Sequence, residues 1–251
     1  MVAAVVEQGG ADVATLALSF GVSSATIRRD LETLEHQRLV TRTHGGAMPH
    51  EAFNDLPLTY KTAQNLPQKL AIARQALEYI RDARVVGMTG GTTVTEFARL
   101  LPGSGHSITV VTNALNIAIE LVENASLRVF AAGGEVRSSS QETVGPSAEA
   151  FLTGYNIDVA MIGVDGVDSR AGCTNYDPVG ARVNGALIER AQRVIVLVDS
   201  TKIGRVALAP VCSMSQINVL ITDSGIQPDL AEELRASGCE LVIVDPAKLA
   251  A

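Results

Sequence analysis

Two short clusters of residues carry the chemistry this sequence offers. The first is "SSATIRR", from Ser23 to Arg29, followed by Arg42 and His44. Hydroxyl and guanidinium groups packed this closely suit a polyanion. Ser23, Ser24 and Thr26 can donate to phosphates or base edges, and Arg28 and Arg29 can neutralise phosphates or fork onto guanine. The second cluster is Gly90-Gly91-Thr92-Thr93, which follows the apolar run "RVVGM" and precedes the helical "VTEFARLL". A strand, a Gly-rich turn and a helix N-terminus present backbone N–H groups and a positive dipole end to an anion. The turn lacks the Lys-Ser/Thr pair of a P-loop, which argues against an ATPase or GTPase. Each cluster has a plainer alternative. Arg28 and Arg29 could pair with Asp30 and Glu32 on a solvated helix face, and the glycines could form a tight turn capped by threonines.

The elements around the first cluster decide between these readings. "ADVATLALSFGVSSATIRRDL" reads as helix, Gly-containing turn, helix. Asp12 caps the first of the two helices, Val13, Leu16 and Phe20 line one side, and Gly21 ends it. Small Ala17 lets the helices approach closely. Ser23 is a good N-cap for the second helix, which carries Ile27, Leu31 and Leu34 at i, i+4, i+7. That stripe turns Ala25, Arg28, Arg29 and Glu32 away from the core. In a helix-turn-helix the N-terminal part of the second helix enters the major groove of double-stranded DNA. "RLVTR" then reads as a strand, with "THGGA" as its turn. Ahead of all this, Val2, Val5 and Val6 share the face of a short helix stopped by Gly9-Gly10.

Residues 51–68 hold Pro57 and Pro67 with no clear period and read as a linker. From Lys69 onward, "KLAIARQALEYI" is an amphipathic helix. "RVVGM", "ITVVT", "LRVFAA", "VAMIGV", "RVIVLV", "NVLIT" and "ELVIV" are β-branched runs separated by helical stretches. The pattern predicts an α/β fold, a mostly parallel sheet with helices on both faces. In such sheets the loops at the strand C-termini converge on one crevice. Those loops carry Gly90 to Thr93, Asn113, Gly133 to Arg137, Asp165, Asp199 and Lys202.

Bulk properties set limits. The 251 residues suffice for two ordinary domains, and 47% are hydrophobic, so the core is well supplied; aromatics are only 4%, so its packing is aliphatic. The net charge of −7 argues against a broadly basic nucleic-acid binder. Even residues 1–50 set Arg28, Arg29, Arg38 and Arg42 against Glu7, Asp12, Asp30, Glu32 and Glu35. A local basic face survives this, because a Debye length of about 8 Å screens distant acids. Cys173, Cys212 and Cys239 show no metal-ligand spacing and read as buried, reduced thiols. The start lacks the pattern of a signal peptide, and no run of about 18 apolar residues occurs. The expected setting is cytoplasmic, with no metal, cofactor or membrane contact.

"VSSATIRRDLETLEHQRLVTRTHGGA" resembles the signature of DeoR-family bacterial transcription regulators, in which a winged helix-turn-helix ends in an "R-x-H-G-G-A" wing. The likeness implies that Arg42 and His44 lie in the wing near the DNA backbone. Family members usually have several more residues ahead of the first helix; here Met1 falls inside it, which implies a late start or a shortened helix. The second half is similar to the same family through "GGTT", "VVTNA", "AGGEVR", "TVG", "DVAMIGVDGVD", "GCTNYD", "VIVLVDSTKIGR" and "VLITD". The resemblance implies an effector domain similar in fold to ribose-5-phosphate isomerase, which binds phosphorylated sugars. Gly91, Thr92, Thr93, Asn113 and Lys202 would then hold the phosphate, and Asp165 would approach the sugar. Two positions depart: Thr89-Gly90 stand where many members have Asp-Ser, and Asn184 where many have Lys.

The expectation is therefore a regulator, most simply a repressor of carbohydrate genes, that binds a DNA operator under the control of a phosphorylated sugar. It comprises a winged helix-turn-helix domain (1–50), a linker (51–68) and an effector domain (69–251). Two half-sites on an operator call for a homo-oligomer, a dimer or tetramer. The rival is a sugar-phosphate isomerase or deaminase. It needs a general base, and Asp165, Asp168 and Asp177 come with no recognisable acid–base partner, so no catalytic residue is assigned.

Overall fold

The computed structural model describes residues 1–7, 10–36, 39–49 and 58–249. Gly9, Arg38 and residues 51–57 of the expected linker lie outside them, as does the Val6 side chain. The chain divides into two compact units, Met1–Leu56 and Pro57–Ala251.

In the N-terminal unit, helix α1 (Val2–Glu7) is followed by strand β1 (Ala11–Asp12), helices α2 (Val13–Phe20) and α3 (Ser24–His36), and strands β2 (Val40–Arg42) and β3 (Gly46–Pro49). Asp12 caps α2 by accepting the Ala14 and Thr15 N–H groups, both at 2.9 Å. Gly21 ends α2 in the left-handed region at φ 64°. Val5, Leu16, Ile27, Leu31, Val40 and Ala47 form the small core, with Leu34 packed against it. Phe20 departs from expectation: it is 45% exposed rather than lining the core. It is the last residue of an eight-residue helix, and its i+4 relation to Leu16 does not carry it inward. Strands β2 and β3 form an antiparallel hairpin, and β1 adds to β3.

The C-terminal unit opens with α4 (Leu58–Thr62) and α5 (Leu66–Ala76), so the described part of the segment read as linker is largely helical. Five residues are too few to show a period, and Pro67 sits in the first turn of α5, where its missing N–H costs nothing. Then follow β4 (Val85–Met88), α6 (Thr92–Leu100), β5 (Ile108–Thr112), α7 (Leu115–Leu121) and β6 (Leu127–Ala131). After the ribbon β7 (Glu135–Arg137) and β8 (Glu142–Val144) come α8 (Pro146–Thr153), β9 (Ile157–Ile162), β10 (Gly166–Asp168), β11 (Gly172–Asn175) and α9 (Pro178–Glu189). The chain continues as β12 (Ala191–Leu197), β13 (Ala209–Cys212), β14 (Val219–Asp223), α10 (Pro228–Ala236) and β15 (Glu240–Val244).

The seven runs singled out in the sequence form one parallel sheet in the order β15-β14-β12-β9-β4-β5-β6. Successive residues feed opposite layers, as the strand period demands. Val194 and Val196 pack with α8, α9 and α10, while Ile195 and Leu197 pack with α5, α6 and α7. The sheet starts in the middle at β4, grows outward through β5 and β6, then resumes on the other side of β4 with β9. The switch point therefore lies between the carboxyl ends of β4 and β9, where ligands of such sheets bind. The ribbon β7–β8 and the antiparallel trio β10-β11-β13 were not expected as strands.

Candidate functional sites

In the N-terminal unit the Ser23 hydroxyl accepts the Thr26 N–H at 3.2 Å and lies 2.9 Å from the Thr26 hydroxyl. Both hydroxyls thus serve the helix cap first, though both residues are exposed, as is Ser24. Arg28 and Arg29 are exposed on the next turn. Among the described residues no carboxylate forms an ion pair with either, so the alternative pairing with Asp30 and Glu32 does not occur. Arg42 is more constrained. Its backbone N–H donates to Glu35 at 3.3 Å and its guanidinium lies 3.9 Å from the same carboxylate, which ties β2 to α3. Arg28, Arg42, Thr43 and His44 line one hollow, with Val13 and Leu31 behind them. Helix and wing thus gather three of the expected cationic or proton-binding side chains around one concavity. Gly46 closes the wing: a Cβ there would lie 2.1 Å from the Ala11 carbonyl oxygen.

In the C-terminal unit the switch point is built from backbone. Gly163, after β9, donates its N–H to the Thr89 hydroxyl at 2.9 Å. A Cβ on Gly163 would stand 2.7 Å from the Gly90 carbonyl oxygen. Gly91, at φ 118°, is the N-cap of α6 and brings no side chain to the first-turn N–H groups, which have no partner within the helix. Thr92 is half-buried and Thr93 buried beside them.

Asn113, at the end of β5, is buried and donates to the Thr143 carbonyl and to Glu142 Oε1, each at 3.2 Å. The same Glu142 oxygen accepts the Gly90 N–H at 2.9 Å. A Cβ at position 90 would lie 2.5 Å from the Glu142 carboxyl carbon, so a side chain there would make this carboxylate shift. Burial pushes the Glu142 carboxyl above its usual range, against the pull of the Gly90 N–H, Asn113 and Arg137. The Oδ1 atoms of Asn113 and Asn184 are buried without a partner among the described residues. Asn184 Nδ2 lies 3.5 Å from the Gly163 carbonyl, so this unmatched acceptor also belongs to the switch point. Buried acceptors left unmatched call for a donor.

Across the crevice, Lys202 Nζ lies 3.4 Å and Lys61 Nζ 3.6 Å from the same Asp165 Oδ1. Asp165 Oδ2 accepts the Tyr176 N–H at 3.2 Å. Burial pushes the Asp165 carboxyl upward, but Lys202, Lys61 and this N–H together hold it below its usual range. Buried Lys69 donates to the Lys61 carbonyl, and burial lowers its ammonium to about 8. Asp199 accepts the Thr201 N–H at 3.1 Å and an Asn65 N–H at 3.2 Å.

The structure thus sets Gly90, Gly91, Thr92, Thr93, Asn113, Asp165 and Lys202 along the carboxyl edge of the sheet. Glu142, Lys61 and Lys69 were missed by sequence reasoning. Glu142 stood inside "TVG"-flanking sequence with no charge pattern to mark it, and Lys61 stood in a segment without a period.

Among the described residues no helix is long and apolar enough to cross a membrane. Comparison with known proteins gives two family matches: the DeoR-like helix-turn-helix domain over residues 1–52 and the DeoR C terminal sensor domain over residues 64–224. The HTH-type transcriptional regulator GlpR of Haloferax volcanii is 36% identical across 94% of this chain and 92% of its own. The glycerol-3-phosphate regulon repressor of Escherichia coli is 32% identical across 87% and 86%. The L-fucose operon activator of Haemophilus influenzae is 29% identical across 89% and 90%. Among solved structures, ribose 5-phosphate isomerase A of Methanocaldococcus jannaschii is similar over 55% of each chain at 18% identity and a TM-score of 0.42, too slight a likeness to bear on mechanism. The relatives that span nearly the whole chain are regulators, which does not favour the isomerase alternative. With both of its units matched, the chain belongs to the DeoR family of transcriptional regulators.

Proposed function

We propose that this protein represses carbohydrate genes by binding an operator through Ser23, Ser24, Thr26, Arg28, Arg29, Arg42 and His44, and that a phosphorylated sugar in the C-terminal unit controls that binding. The observation that carries the reading is the state of Arg28 and Arg29: exposed on the first turns of α3 and free of ion pairs among the described residues. They lose only water and counterions on meeting phosphate. The sign of regulation follows the repressor relatives; the L-fucose operon activator shows that the family also contains activators. The effector half rests on the uncapped start of α6, the glycines at the switch point and Lys202 across the crevice. Backbone N–H groups and the helix dipole hold the phosphate with Thr92, Thr93, Asn113 and Lys202, while Asp165 faces the sugar. The reading head lies within Met1–Leu56 and the effector domain within Pro57–Ala251. The protein acts in the cytoplasm as a homo-oligomer, without enzymatic turnover.

An operator mobility-shift assay on the full chain, repeated with a panel of triose, pentose, hexose and amino-sugar phosphates, tests this. One member should release or tighten the complex while its unphosphorylated counterpart does not. Turnover of a panel member, with no specific DNA complex, would overturn the reading in favour of an enzyme.

A further inference from the structure

We infer that Cys173 and Cys212 form a redox-responsive pair, which an oxidant of the peroxide class closes into a cross-strand disulfide on the strand that holds Asp165. The pair is independent of what the crevice binds.

Three cysteines far apart in sequence meet in one apolar layer of the C-terminal unit, all of them buried free thiols. Two of them stand opposite each other. Cys173 on β11 and Cys212 on β13 are register partners in an antiparallel pair. Residues directly opposite in such a pair have Cα atoms about 4.5–5.5 Å apart, within the span of about 4.4–6.8 Å that a disulfide bridges. Gly172 lets the strands come this close: at φ 73°, a Cβ there would stand 2.2 Å from the Cys212 carbonyl oxygen. Cys239 shares the layer but is turned to α10. Its thiol donates to the Leu234 carbonyl at 3.6 Å and accepts the Ser237 hydroxyl at 3.7 Å.

The two thiols of the pair are unlike. Interaction with the Cys173 thiol holds the Cys212 thiol below its ordinary value despite burial, and the Cys173 N–H adds to this. Cys173 is driven the other way, by Cys212 and by burial. Cys212 is also the more accessible, 7% exposed against 0%, and it ends β13 beside exposed Ser213. Cys212 is thus the sulfur that meets an oxidant first. Its thiolate attacks one oxygen of hydrogen peroxide, the O–O bond breaks, and the departing hydroxide takes a proton from solvent to become water. The Cys173 sulfur then attacks the sulfur of the Cys212 sulfenic acid. The S–O bond breaks, and the second hydroxide leaves as water with the Cys173 proton. Two thiols lose two electrons and the peroxide gains them.

The residues that follow Cys173 on its strand hold Asp165. The Thr174 carbonyl and Asn175 Oδ1 accept the Asp165 N–H at 3.1 and 3.2 Å, and the Tyr176 N–H donates to Asp165 Oδ2 at 3.2 Å. The β11–β13 register slips between Cys173 and Thr174, so the pairing is irregular just where the bond would form. A covalent link there resists local opening of β11, and with it the exposure of the amides bonded along that strand.

The test treats wild type, Cys239→Ser, Cys173→Ser and Cys212→Ser, as full chains with melting profiles recorded, with hydrogen peroxide. The products are alkylated in denaturant and mapped by mass spectrometry. Wild type should lose two of its three thiols and Cys239→Ser both of its two, each giving a peptide linked through Cys173 and Cys212 that dithiothreitol reverses. Cys173→Ser should accumulate sulfenic acid at Cys212, and Cys212→Ser should consume peroxide at least about tenfold more slowly. In oxidised Cys239→Ser the amides of Asp165 and Tyr176 should exchange hydrogen several-fold more slowly than in its reduced form. Should a serine variant fail to fold, the wild-type map decides alone. Oxidation of wild type with no 173–212 link, or with a link through Cys239, overturns the pair. Unchanged amide exchange in the linked protein overturns its tie to Asp165.

Discussion

In the N-terminal unit Arg28 and Arg29 stand in solvent with no ion pair among the described residues, whereas in the C-terminal unit Lys61 and Lys202 already share Asp165. On the proposed reading the arginines would meet a polyanion whose charge is spread along a groove, so long-range attraction and counterion release would do most of the work. On the same reading Lys202 would meet one compact anion in a part-buried setting, where an unpaired ammonium is costly to hold. Salt should accordingly weaken operator binding steeply and effector binding little.

The largest effect expected is on the wing. Gly46→Ala puts a methyl group into the Ala11 backbone, which cannot yield, and should cost the N-terminal unit at least about 3 kcal/mol. Specific operator binding should vanish while the sugar-phosphate thermal shift remains. Joint loss of both would show that the two units do not fold independently.

Next is the Arg28→Ala, Arg29→Ala double variant. Each arginine that forks onto a guanine contributes about 1–3 kcal/mol, lost for the operator only. If both touch phosphate instead, binding should weaken for all sequences and the logarithmic salt slope should become shallower by about 1.8. Unchanged operator titrations in a folded double variant would place the groove-facing surface elsewhere.

Lys202→Ala should cost a phosphorylated sugar about 1.5–3 kcal/mol in calorimetry, while the complex with the operator still forms. Equal affinities for the two proteins would leave Lys202 only a partner of Asp165 with no part in the anion site.

The smallest effect concerns pH. Glu142 is raised in the folded chain. Its contribution to stability is therefore fullest below the ordinary carboxylate value of 4.5 and is lost as pH climbs through the raised value. Asp165 is lowered, so its contribution has the opposite sign and disappears as pH falls below the usual value of 3.8. Glu142→Gln keeps an acceptor for the Gly90 N–H and removes the charge. It should raise the melting temperature at pH 8, with the gain shrinking toward pH 4.5. A constant gain at all pH values would show that shape, not ionisation, is responsible.

Local patterns in the chain were enough to find the helix-turn-helix and all seven strands of the main sheet, because both follow from periods that a short window contains. Gly21, Asp12 and Ser23 were equally legible, since caps act on neighbours two or three residues away. Phe20 sits at an apolar i+4 position from Leu16 yet is 45% exposed, because spacing within one helix does not say whether a partner covers its last turn. The ribbon β7–β8 and the trio β10-β11-β13 escaped because short strands with mixed burial carry little alternation. Glu142 and Lys61 escaped for a different reason. Their roles depend on what the fold brings to them: an absent side chain at Gly90 in one case and a shared Asp165 in the other. Neither relation leaves a trace in the residues on either side.

The floor of the crevice is made of peptide groups at Gly90, Gly91 and Gly163, and a methyl group on Gly163 would strike the Gly90 carbonyl. Position 163 of that floor is therefore closed to substitution, while the rim, at Asn113, Glu142, Asp165 and Asn184, is made of side chains and remains open to it. Such a division lets descendants of one ancestor keep their grip on a common chemical handle while changing what hangs from it. A lineage can in this way be passed from one metabolite to another by a few exchanges at the rim, with no new fold and no new hinge.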